Sequence, residues 1–110
     1  MKLMNRGYIA VNPKRELMQK TNESLGQNVP VPNKPESSIY LIEEGFLDDQ
    51  ITLNKHIKKI IESELKQLDP EGQTTLPEIN NINFHDYFEV SMGSFVFDLH
   101  NQTLSGIKDD

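Results

Sequence analysis

The chain has no cysteine and no tryptophan. The first absence removes disulfides, thiolate zinc sites and cysteine nucleophiles together, and it fits a reducing compartment. The N-x-S/T matches at Asn22 and Asn101 therefore carry no expectation of glycosylation. No apolar run approaches the ~18 residues that span a bilayer. The opening MKLMNRGYIAV is positively charged but lacks the apolar stretch of roughly 7 residues and the small-residue cleavage site of a secretory signal. These absences predict a cytoplasmic protein without a membrane partner. Also missing are a P-loop, G-x-G-x-x-G, a G-x-S-x-G elbow and the H-E-x-x-H pair, so no cofactor is expected.

What is present is one domain's worth of chain. The 110 residues allow a single modest core, read as one α/β domain with 1–6 and 105–110 flexible. The net charge of −6 is unevenly spread. Lys2, Arg6, Lys14, Arg15 and Lys20 oppose only Glu16 in the first twenty residues, so the remainder is strongly acidic. An acidic body repels a phosphate backbone, which excludes nucleic acid as a partner and favours a basic protein.

GYIAV (7–11) reads as a first strand. Asn12 and Pro13 then suit the N-cap and first position of a helix with a thin stripe of Leu17, Met18, Thr21 and Leu25, ending at Gly26. Three of the six prolines make 27–38 an extended connection, and Pro32-x-x-Pro35 is read there as stiff loop. SIYLI (38–42), apolar almost throughout, reads as a central strand covered on both faces or nearly so. The clearest helix follows, with Leu53, Ile57, Ile60, Ile61, Leu65 and Leu68 on one stripe and Lys55, Lys58, Lys59, Glu62 and Lys66 opposite. His56 sits at the stripe's boundary, Asp69-Pro70 closes the helix, and 71–83 is loop.

The last stretch, YFEVSMGSFVFDL (87–99), has two apolar sets out of phase. A two-residue turn at Gly93-Ser94, with Gly in the type II′ position, restores the phase by pairing Met92 with Phe95, Val90 with Phe97 and Phe88 with Leu99. The competing arrangement is one long strand with a bulge at Gly93. In the hairpin the second face sets Tyr87 opposite His100 and Glu89 opposite Asp98. Facing carboxylates repel unless solvent, a basic side chain or a hard cation intervenes. The expected architecture is α+β, a two-layer β-α-β-α-β-β sandwich: a mixed four-stranded sheet, two helices on one face, and a C-terminal hairpin.

Four segments, VNPKREL, IYLIEE, IIESEL and DYFEVSMGSFVFDL, resemble in order and spacing a family of small uncharacterised bacterial proteins. Its patterns are V-x-P-K-x-x-F, Y-L-I-P-E, I-F-x-x-E-L and W-F-D-x-x-x-x-S-x-V-x-D-L. The resemblance covers most of 8–99 as short islands and implies a shared compact α/β domain, with no activity attached. Leu17 stands where the family has an aromatic residue, Glu44 where it has proline, and Tyr87 where it has tryptophan.

The functional expectation is a non-catalytic acidic binding module, an adaptor or a toxin-neutralising immunity-type protein. It would dock a basic partner through Glu89, Asp98, Tyr87 and His100, with a homodimer through the free sheet face as a further arrangement. The alternative is a metal-dependent or acid–base enzyme using Glu89 and Asp98, with His100 as a third ligand.

Overall fold

Gly7, Ile9 and Val11 alternate with Tyr8, Ala10 and Asn12. That period of two makes β2 (Arg6–Pro13) the middle strand of a three-stranded sheet in the computed structural model of the chain. The structure describes residues 1–26, 36–72 and 76–100; the Pro32-x-x-Pro35 segment and residues 105–110 lie outside them. β3 (Ser38–Glu43) and β4 (Phe88–Gly93) flank β2, both antiparallel to it. A separate ribbon pairs β1 (Lys2–Leu3) with β5 (Phe97–Asp98). Helix α1 (Arg15–Leu25) joins β2 to β3, and α2 (Asp49–Leu68) and the short α3 (Phe84–Tyr87) lie between β3 and β4. The protein is α+β, as its sequence predicts.

The sheet itself departs from expectation. Every strand pairing among the described residues is antiparallel, so no mixed four-stranded sheet is formed and the rule for parallel crossovers has nothing to act on. The C-terminal hairpin is also absent, because β4 and β5 do not pair with each other. Gly93 is not among the positive-φ glycines, as a type II′ turn would require; those described are Gly26, Gly45 and Gly72.

Instead β4 and β5 succeed one another along the same N-terminal stretch of chain. Tyr8 pairs with Gly93 and Leu3 with Phe97. Met4 N donates to Val96 O at 2.7 Å between those two points. Five steps on one strand thus meet four on the other, which is the count of a bulge. The competition was decided by burial. Met92 and Val90 gain Ile9 and Val11 as cross-strand partners, and both of these are fully buried. Phe95, Phe97 and Leu99, the partners a hairpin would have supplied, remain 70%, 52% and 76% exposed.

One core joins the inner side of the sheet to the helices: Ile9, Val11 and Ile42 meet Leu17 of α1, Leu53, Ile57, Ile60 and Ile61 of α2, and Ile79, Phe84 and Phe88. Full burial of such a side chain contributes about 1.5–3 kcal/mol. The Phe84 and Phe88 rings stack at 4.9 Å and close its lower end. Helix α2 begins where Asp48 Oδ1 accepts the Ile51 amide at 2.9 Å.

Helix α1 starts later than its sequence suggests, with Lys14 in the cap position. Asn12 and Pro13 stay extended because they pair with Glu89 and Phe88. Proline is tolerated there because it ends the strand. Gly26, at φ 65, closes α1 as expected, its amide donating to Asn22 O and Glu23 O. A further correction concerns β3, which is an edge strand with Ile39 58% and Leu41 49% exposed, not a central strand covered on both faces.

Candidate protein-docking surface

The residues singled out in the sequence are not brought together. Glu89 is exposed and pairs across the sheet with Asn12. Asp98 sits opposite Lys2, an arrangement of opposite charge that an antiparallel pair favours, and its Oδ1 accepts the His100 amide at 2.8 Å. Nine steps of largely extended chain, up to ~30 Å at ~3.3 Å each, separate Glu89 from Asp98. The facing carboxylates of the hairpin therefore do not occur.

Tyr87 ends α3 and is half-buried in a structural clamp. Its carbonyl accepts the Lys14 amide at 2.8 Å, Lys20 Nζ lies 5.6 Å from its ring centroid, and Lys14 Nζ donates to the neighbouring His85 carbonyl at 2.6 Å. Two charges of the basic N-terminal segment are thus spent on holding α3. Among the described residues, no group of three or more His, Cys, Asp or Glu stands close enough to hold a metal.

Polar chemistry gathers instead between β3 and α2. Glu64, on the apolar stripe of α2, is only 3% exposed. Its Oε2 accepts from the Tyr40 hydroxyl at 2.5 Å and from Gln67 Nε2 at 3.1 Å. The Tyr40 hydroxyl is also 2.9 Å from Ser63 Oγ, and Ser38 Oγ donates to Gln67 Oε1 at 3.2 Å. Burial, reinforced by the Glu64 carboxylate, pushes the Tyr40 pKa up to about 12. This network ties strand to helix and leaves no buried side-chain polar atom unsatisfied among the described residues.

At the other end of β3, Glu43 is held by Lys55 Nζ at 2.7 Å and His56 Nε2 at 2.6 Å. These two bonds, Lys55 first, lower its pKa to about 2. His56, placed at the edge of the stripe by the sequence, is a half-buried partner of that carboxylate.

An exposed apolar pair lies just beyond the end of β3. Gly45, at φ 66, turns the chain out of β3. The Phe46 ring then packs on Gly7, where a Cβ would come within 2.8 Å of ring atom Cε1; only glycine admits that approach. With Phe46 anchored on one side and Asp48 capping α2 on the other, Leu47 between them is fully exposed at 101%, and Ile51, one turn on, is 70% exposed. Glu44, Asp48 and Asp49 surround them, all exposed. Among the described acids of this turn only Glu43 is in an ion pair.

Sequence reasoning missed this surface, although a signal for it exists. In EEGFLDDQI two apolar residues stand between acidic pairs, and Ile51 lies off the α2 stripe that begins at Leu53. An apolar residue off the stripe at a helix start has no core to enter.

No family model, no curated protein and no solved structure matches the chain. Its function must therefore be read from the surface alone. No helix among the described residues is long and apolar enough to cross a membrane.

Proposed function

We propose that the chain is a non-catalytic protein-binding module that docks a basic partner, as an adaptor or an immunity-type protein would. The observation that carries this reading is the turn from Glu44 to Ile51, where Leu47 and Ile51 are exposed within an acidic rim. An apolar anchor that a partner can desolvate, ringed by charge, has the anatomy of an interface hot spot. The anchoring of Phe46 on Gly7 and the Asp48 cap hold Leu47 in place before binding, which lowers the ordering cost of association. The net charge of −6 steers a cationic partner towards the chain, and the rim acids give it local contacts. A cytoplasmic setting suits a chain without cysteine. The two-layer arrangement, with α1 and α2 on one side of the sheet, supports the reading by leaving Leu47 and Ile51 exposed beyond the end of β3.

The test is affinity capture from the native cell on the immobilised protein, with titration calorimetry of whatever is retained. Leu47→Ser and Asp49→Lys should each weaken the complex about tenfold or more if the contact is central, without changing the circular dichroism spectrum. Asp48 is avoided because it caps α2. Equal binding by both variants and the unaltered chain would remove the proposal.

A further inference from the structure

We propose that two copies of this chain associate through the helix-free face of the three-stranded sheet, about a two-fold axis that crosses the strands. The sequence of β3 is that of a strand covered on both sides, yet among the described residues only one side is covered. Tyr40 and Ile42 face the core, while Ile39 and Leu41 are 58% and 49% exposed. No described strand or helix lies over this second side, which leaves it open to a second copy.

The strand register defines what that face offers. One row across the sheet is Leu41, Tyr8 and Gly93, and the next is Ile39, Ala10 and Ser91. Charge lies beyond these rows. Arg6, opposite Glu43, stands at one end, and Glu89, opposite Asn12, at the other. Glu43 is already neutralised by Lys55 and His56, so Arg6 and Glu89 set the polarity of the face. The Tyr8 ring lies over Gly93, where a Cβ would come within 2.7 Å of ring atom Cζ. The ring therefore occupies the space a side chain on β4 would take, and it levels the apolar centre.

A two-fold axis across the strands exchanges the two central rows. Leu41 then meets the partner's Ile39, and Tyr8 meets the partner's Ala10, large against small. Arg6 comes over the partner's Asn12, one strand spacing (~4.8 Å) from the partner's Glu89, and the symmetry repeats that contact. An axis along the strands would instead set Arg6 on Arg6 and Tyr8 on Tyr8. Charge and bulk thus select one arrangement, and the face is complementary to itself. With the ten residues of these rows on each side at roughly 35–40 Å² each, some 700–800 Å² is buried in total, the low end of the range for weak and transient complexes. The association uses none of the residues of the 44–51 turn and stands independently of the function proposed for it.

The experiment is sedimentation velocity on the full chain over a concentration series up to roughly 500 μM, because an interface of this size is weak. The expected result is a reversible monomer–dimer equilibrium. Arg6→Glu alone and Glu89→Arg alone should each raise the dissociation constant about tenfold or more, because each sets like charges together twice. Mixing the two variants should restore dimers. The carboxylate introduced at position 6 of one copy then meets the guanidinium introduced at position 89 of the other, and the unaltered Arg6 and Glu89 meet at the second, symmetry-related contact. Ile39→Asp should abolish association while circular dichroism shows an unchanged fold. A chain that stays monomeric throughout the range overturns the proposal. So does a dimer that both charge variants leave intact, or whose loss in each is not rescued by mixing.

Discussion

Removing one oxygen from Tyr40 should expose how much of the fold's stability rests on a buried carboxylate. Glu64 is 3% exposed, and its Oε2 accepts from the Tyr40 hydroxyl and from Gln67. Tyr40→Phe takes away the closer donor while leaving the ring, so packing is nearly unchanged and the carboxylate stays buried with its hydrogen bonding reduced. A hydrogen bond to a charged group contributes about 1.5–3 kcal/mol. At about 4–8 °C per kcal/mol for a small domain, the melting temperature should fall by roughly 6–24 °C. Glu64→Leu removes the other partner, and in that background Tyr40→Phe should cost much less, because no buried charge is then left without its donor.

The pH dependence supplies an independent reading of the same bond. The Tyr40 phenol has its pKa raised from 10.0 to about 12 by burial and by Glu64. The folded chain therefore keeps a proton that the unfolded chain loses. Stability from this group is complete below pH 10 and falls as pH rises towards 12. That alkaline component should be missing in Tyr40→Phe, and one of the three tyrosines should titrate near pH 12 in a phenolate absorbance experiment on the folded protein. Denaturant titrations of the four chains of the cycle are the assay. A Tyr40→Phe variant within about 0.5 kcal/mol of the parent, with no coupling to Glu64, would refute the reasoning.

Three other substitutions test the remaining links. Gly93→Ala should destabilise because its Cβ meets the Tyr8 ring, and the cost should largely vanish in a Tyr8→Ala background; an equal cost in both backgrounds would show that the ring is not the cause. In the acid range, Glu43 has its pKa lowered to about 2 by Lys55 and then His56, so its contribution is present above about pH 4.5 and is lost as pH falls towards 2. Nuclear magnetic resonance should find the Glu43 titration midpoint raised more by Lys55→Ala than by His56→Ala, and the reverse order would contradict that assignment. On α2, Ile60→Ala should cost about 2–5 kcal/mol in chemical denaturation and Lys58→Ala less than about 0.5 kcal/mol, since the first is 2% exposed and the second lies on the open face.

Local pattern and tertiary pairing divided this protein between them. The α2 stripe, the strands at 7–11 and 38–42 and the Gly26 stop were legible in the sequence because each depends on neighbours a few residues away. Periodicity and backbone freedom are local quantities. Strand partners are not. The apolar set Phe88, Val90, Met92 fits Leu99, Phe97, Phe95 across a turn as well as it fits Pro13, Val11, Ile9 from the far end of the chain. Only the shared core with α1 and α2 decided for the latter. That choice moved Glu89 away from Asp98, turned Tyr87 into a clamp for Lys14 and Lys20, and made β3 an edge.

The same limit applies to the proposed docking surface. The residues EEGFLDDQI are plain in the sequence, but the exposure of Leu47 follows from Phe46 reaching Gly7, some forty residues earlier, across the β2–β3 pair. Composition settled the charge and the absence of cysteine chemistry, and periodicity settled α2 and the strands at 7–11 and 38–42. Which faces meet, and therefore which side chains are left for a partner, was decided by burial between segments distant in the chain, where a one-dimensional pattern assigns no preference.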